Sequence, residues 1–128
     1  MIDNSVFILL SMIFAHIVDD YYLQGILAKL KSKDWWRSNE EYTDHYKYDY
    51  IVGLVCHAFS WSFMIMLPIA IYYKFQLGWI YVLYPINLII HAIVDHLKCN
   101  KKILNLVQDQ LIHLAQVLIT FVLVIALL

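Results

Sequence analysis

The chain has 128 residues, 62% hydrophobic and 15% charged, with a net charge of −1. Soluble domains average about half apolar and a quarter charged, so this balance points to lipid as part of the solvent. A charge so near zero provides no basic patch for a phosphate backbone, and nucleic acid is excluded as the expected partner.

The chain opens with MIDNSVFILLSMIFAH, which carries Asp3 and no Lys or Arg ahead of its apolar run. A cleaved secretory leader needs a basic segment there, so the first span is expected to be retained. Crossing about 30 Å of hydrocarbon takes roughly 20 helical residues. Four stretches qualify: 5–24, 50–73 with Pro68, 78–97 with Pro85, and 103–128.

The one sizeable loop, 25–49, holds Trp35, Trp36 and several tyrosines, which suit a membrane–water interface and a short interfacial helix. The connections near 74–77 and 98–102 are short, so consecutive helices are expected to be antiparallel neighbours. Lys29, Lys31, Lys33, Arg37 and Lys47 lie in the long loop, and Lys98, Lys101 and Lys102 in the turn after the third span; only Lys74 lies on the other side. The excess of positive charge predicts that these two connections are cytoplasmic and both termini are not. The expected fold is therefore all-α: an integral membrane four-helix bundle, one domain over 1–128, in a cell membrane. Cys56 and Cys99 have neither zinc nor disulfide-scaffold spacing and read as reduced thiols.

Ionisable groups inside a span cost about 2.5–3.5 kcal/mol each on insertion scales, so they are functional candidates by default. The first span contains His16, Asp19, Asp20 and Gln24; the second, His57; the third, His91, Asp95 and His96; the fourth, Asp109, Gln110 and His113. His16–Asp20–Gln24, His91–Asp95 and Asp109–His113 are sets spaced by four, each along one helical face. Counting from the basic ends at about 1.5 Å per residue places His16, His57, His91 and His113 roughly 10–15 Å below the cytoplasmic surface. Asp20 and Asp109 bracket the same level, with Asp95 nearer the surface. Imidazole and carboxylate together suit a divalent transition metal, zinc first and then manganese or iron. The candidate ligands are His16, Asp20, His57, His91, Asp95, Asp109 and His113, enough for one ion with supporting carboxylates or for two ions. Asp19 reads as a supporting group, Gln24 and Gln110 as hydrogen-bond partners, and His96 as interfacial. Asp44 and His45 read as solvated. The alternative for the whole layer is a protonatable hydrogen-bond network.

These motifs resemble a family of small bacterial and phage membrane proteins known as domain of unknown function 3307. Its pattern appears here as His16-Asp20-Tyr21-Gln24, then His57, then His91-Asp95-Lys98, then Asp109-Gln110-His113, in order along almost the whole chain. The family name implies no activity, so the resemblance bears on the residues rather than on a reaction.

Three functions fit. The first is a metal-dependent hydrolase at the cytoplasmic leaflet, with Asp20 or Asp109 as general base and Lys98 receiving an anionic group of a phosphoester or lipid. The second is a proton- or cation-conducting homo-oligomer. Confinement of the ionisable layer to the cytoplasmic half favours a site over a pore. The third is a structural or partner-binding subunit in which the polar layer holds helices together. Membrane lipid is the expected partner in every case.

Overall fold

The computed structural model describes residues 4–127. Asp3, on which the leader argument rests, and Leu128, the expected end of the fourth span, lie outside the described residues. Every regular element among the described residues is helical. Helix α1 (Asn4–Ile17) runs into a π-helical turn, Val18–Leu23; α2 (Leu27–Leu30) and α3 (Lys33–Arg37) are short. A 3-10 turn, Asp44–Tyr46, leads to α4 (Asp49–Tyr72); a second, Gly78–Val82, leads into α5 (Leu83–Cys99); and α6 (Leu106–Leu127) ends the fold. The segments Asn4–Leu23, Asp44–Tyr72, Gly78–Cys99 and Leu106–Leu127 are each long and apolar enough to cross a membrane.

Local chemistry sets the boundaries. The fourth span was expected from residue 103, but its helix begins at Leu106. Asn105 and Gln108 explain the shift, since each side-chain oxygen accepts the other's backbone N–H (2.9 and 3.0 Å), forming a reciprocal cap. The third span begins as a 3-10 turn and becomes α-helical at Leu83. Pro85 sits in the first α turn, where its missing N–H is tolerated. Pro68 lies well inside α4, a position that membrane helices accept. After α4, Lys74 and Phe75 take positive φ (50° and 61°), and the Phe75 N–H closes back on the Ala70 carbonyl at 2.7 Å. That six-to-one bond ends the helix without a glycine.

Helix α4 packs against α1, α2 and α5, and α6 packs on α1 and α5. One half of the bundle is filled by Ile8, Met12, Ile65, Met66, Ile69, Leu77, Ile80 and Val124. The other half is filled by histidine and aspartate, while Phe7 (71% exposed), Phe14 (68%) and Val107 (66%) face outward. Polar groups inside and large apolar groups outside reverse the pattern of a water-soluble bundle, as expected for helices surrounded by lipid.

The long loop does more than sit at an interface. Segment 25–32 folds back onto α4, where a Cβ on Gly53 would stand 2.5 Å from the Leu30 carbonyl carbon. Only glycine allows that approach. Trp36 Nε1 donates to Leu30 O (2.8 Å), and Asn100 Nδ2 donates to Lys31 O (3.0 Å). The segment is thereby clamped with the Lys31 side chain turned into the bundle. The middle of the loop contains only α3 and the short 3-10 turn Asp44–Tyr46. Cys56 and Cys99 are free thiols.

Candidate metal centre

The π-helical turn is the first device that builds the site. A regular α-helix would set Asp19 about 100° away from Asp20 around the axis. The chain widens here into a π turn, marked by the Gln24 N–H bond to Asp19 O (3.1 Å), and both carboxylates are buried, 0% and 7% exposed. Single π turns inside α-helices frequently mark functional positions. Asp19 lies behind the layer: Ser60 Oγ donates to its Oδ1 (2.5 Å), and its Oδ2 is 3.7 Å from His57 Nδ1.

Asp20 and Asp95 face the other edge of that ring, with His57 Nε2 3.2 Å from Asp20 Oδ1 and 3.4 Å from Asp95 Oδ2. His91 Nε2 is 3.9 Å from Asp20 Oδ1 and 3.7 Å from Asp95 Oδ2. His113 Nε2 stands 3.5 Å from Asp95 Oδ1 and 3.4 Å from Asp109 Oδ1. Two buried groups can thus gather around a cation: Asp20–His57–His91 and His91–Asp95–His113. His91 belongs to both. The Asp95 carboxylate turns one oxygen toward His57 and His91 and the other toward His113, a bridging position.

The separations fit the chemistry. Two N or O ligands, each about 2.1 Å from a tetrahedral metal, stand about 3.4 Å apart. Both nitrogens of His57 and of His91, with His113 Nε2 and Asp109 Oδ1, are buried and have no hydrogen-bond partner among the described residues. Unpaired buried polar atoms of this kind cost about 1–3 kcal/mol each. Ring nitrogens and carboxylate oxygens that converge without hydrogen-bond geometry call for a cation between them, either a metal ion or protons.

Aromatic contacts hold the rings in place. His91 stacks on Trp61 (centroids 4.2 Å apart, 20° between planes) and on His113 (4.0 Å, 27°), and those two rings also meet at 5.4 Å, so the three form one cluster. His113 Nδ1 meets Gln116 Oε1 at 3.2 Å, an arrangement that directs Nε2 toward the carboxylates. His16 is differently placed: its Nδ1 accepts from Trp61 Nε1 at 2.8 Å and lies 3.8 Å from Asp20 Oδ2. It belongs to neither three-residue group. Gln110 Nε2 donates to Asp20 Oδ2 (2.9 Å) and Asp109 Oδ2 (3.1 Å), and Gln24 Nε2 donates to the Asp20 carbonyl. His96 is half-buried at the rim, stacked on Tyr50, while Asp44 and His45 are exposed.

Two lysines close the layer. Lys98 Nζ is 2.8 Å from Asp109 Oδ2, and Lys31 Nζ, on a residue only 5% exposed, is 2.6 Å from Asp95 Oδ2. In the sequence Lys31 reads only as a loop charge, and Gly53, the one glycine of α4, is the available sign of its approach. Sequence reasoning also passed over Trp61, Gln116, Asn87 and Thr120. Gln116 Nε2 donates to Asn87 Oδ1 (3.2 Å), and Asn87 Nδ2 donates to Thr120 Oγ1 (2.9 Å), which carries the polar interior beyond the histidines. Their spacing was informative: Trp61 follows His57 by four, Gln116 follows His113 by three, and Asn87 precedes His91 by four.

These features define the class: an all-α protein with four helices of membrane-spanning length and apolarity around a buried His/Asp cluster capable of coordinating a metal ion. No family model, no curated protein and no solved structure matches the chain.

Proposed function

We propose that this is a multi-pass membrane protein that binds one or two divalent transition-metal ions in the cytoplasmic half of its bundle and handles cations there, working as an oligomer. The observation that carries the proposal is the convergence of the unpartnered nitrogens of His57, His91 and His113 on the carboxylates of Asp20, Asp95 and Asp109. Thiolate is absent from both groups, and mixed imidazole and carboxylate suits zinc, manganese or iron. The lysine-rich end is cytoplasmic by the distribution of positive charge, which leaves both termini outside. Binding and passage of a cation requires the fewest additional parts. The Gln116–Asn87–Thr120 chain extends the polar interior inward from His113. Beyond it, Ile8, Ile65, Ile69 and Val124 close the bundle, so a continuous path requires the outer half to rearrange, as it would at an interface between copies. Liposomes carrying wild-type protein should show metal-dependent or proton flux that falls at least tenfold in Asp95→Asn; equal flux in both would reject cation handling.

A second reading, hydrolysis of an anionic phosphoester at the cytoplasmic leaflet, is favoured by one feature. A small polar pocket opens onto Asp20 and Asp95 between Lys31 and Lys98. A bound metal would supply a hydroxide near neutral pH. Asp109 does not line this pocket but holds Lys98, which does, and its Oδ1, without a hydrogen-bond partner among the described residues, would take the proton as general base. Metal-dependent phosphate release from phospholipid or phosphomonoester, lost in Asp109→Asn, would support it; metal-loaded protein inert toward these substrates would remove it. We also propose membership of the domain of unknown function 3307 family, because all the residues of that pattern lie in or beside this one layer.

A further inference from the structure

The pocket at the lysine-bearing end has a volume of about 100 Å³ and is lined by Asp20, Gln24, Lys31, Asp95, Lys98 and Gln110, with Tyr21 and Leu106 at its rim. That is room for a few waters or one tetrahedral oxyanion. An ammonium group has three donors. Among the described residues, Lys31 Nζ and Lys98 Nζ each give one to a carboxylate, Asp95 Oδ2 and Asp109 Oδ2 respectively. Two donors on each remain, at a pocket both side chains line. Lys31 is nearly sealed from solvent and is held by the clamped loop, so it is no ordinary surface lysine.

Charge gives these donors a role. Four aspartates (19, 20, 95 and 109) and two lysines (31 and 98) meet in one buried volume, leaving two negative charges when the histidines are neutral. One divalent ion brings the sum to zero. A second takes it to plus two, in a place where uncompensated charge is strongly disfavoured. Asp95, which holds Lys31, belongs to one of the two candidate groups, and Asp109, which holds Lys98, stands beside it with Oδ1 3.4 Å from His113 Nε2, so a cation bound there weakens each lysine's hold on its carboxylate.

We infer that the pocket between Lys31 and Lys98 is an anion subsite that takes a phosphate-type dianion together with the second metal ion. The inference rests on the metal-binding part of the proposed function and deepens it by naming the co-ligand. The phosphate can be free or the phosphomonoester end of a lipid headgroup, since both present the same tetrahedral oxyanion to the lysines. Binding is reciprocal: phosphate raises the affinity for the second ion by the factor by which that ion raises the affinity for phosphate.

The test uses full-length protein in detergent, Mn²⁺ as the metal and radiolabelled inorganic phosphate, with both followed by equilibrium dialysis. Phosphate should be retained only when Mn²⁺ is present, and saturating phosphate should tighten the second Mn²⁺ by about tenfold. Lys31→Met and Lys98→Met should each weaken phosphate retention at least tenfold while one Mn²⁺ stays bound. Lys98, whose side chain is 28% exposed, is the variant least prone to disturb folding, and the retained Mn²⁺ reports an intact site. In a parallel arm without free phosphate, nanodiscs containing phosphatidic acid are compared with phosphatidylcholine nanodiscs. Tighter Mn²⁺ in the former, seen in wild type and lost in both lysine variants, identifies a lipid source; an effect of inorganic phosphate alone identifies a soluble one. Two Mn²⁺ ions bound with equal affinity with or without either phosphate source would overturn the subsite and leave the metal centre standing. No Mn²⁺ bound under any condition would overturn the metal centre and the subsite together.

Discussion

The two halves of this bundle are built from the same four helices but by opposite means. In the half containing Ile8, Met12, Ile65 and Ile69, closely fitted apolar side chains hold the helices together, and each contact is indifferent to pH and to metal. In the half containing His57, His91, His113 and their aspartates, the interior is polar and ionisable, and several of its buried polar atoms have no hydrogen-bond partner among the described residues. Such an interior is compatible with helices of membrane-spanning length because the charged layer faces other helices rather than the outer surface. The contrast separates an apolar half that packs the helices from a polar half capable of coordinating a metal ion.

Asp95→Ala should have the largest effect, because it leaves Lys31 buried without its partner. A loss of about 3–5 kcal/mol is expected, read as the shift in a denaturation midpoint in detergent. Replacing Lys31 as well, as Asp95→Ala/Lys31→Met, should recover a substantial part of that loss; no recovery would mean that the pair is not a coupled unit. Gly53→Val comes next, since its side chain would strike the Leu30–Lys31 backbone. It should cost about 3 kcal/mol and expose loop 25–32 to protease. Ile65→Ala tests the apolar half: about 2 kcal/mol lost with metal content per folded chain unchanged. If metal were lost as well, the two halves would not be independent. The smallest effect belongs to the exposed pair Lys102–Asp34 (2.6 Å). The Lys102 ammonium hydrogen-bonds Asp34 and holds its carboxyl below the usual range. A depressed carboxyl stabilises the fold above its unfolded pKa, and that contribution fades as pH falls through the folded value. Lys102→Ala should therefore lower the melting temperature barely at neutral pH and not at all in strong acid.

Much of this contrast is legible in the sequence. Hydropathy and length locate the four long helices, and spacing by four picks out His91–Asp95 and Asp109–His113, which the structure brings together. Two features escape such reasoning for physical reasons. Asp19 lies in a π turn that local spacing does not announce, and it is buried beside Asp20, held by Ser60 of another helix. Lys31 reaches the site through a loop that folds back over Gly53, a long-range approach that no local periodicity encodes. His16 illustrates the converse. It has the right spacing to Asp20, yet Trp61 on another helix takes its Nδ1. Uncharged Asn87, Gln116 and Thr120 are cheap enough to bury that they do not stand out from composition, although they share faces with the histidines.

The central claim is that the His/Asp layer holds a metal ion, and elemental analysis of detergent-purified protein beside His91→Ala tests it most directly. His91 is shared by both candidate groups, so its loss removes a ligand from each. The account predicts about one or two transition-metal ions per wild-type chain and a fall to near zero in folded His91→Ala. Wild type without metal, and without uptake when Zn²⁺ or Mn²⁺ is added back, would contradict it and leave the layer as a protonatable network.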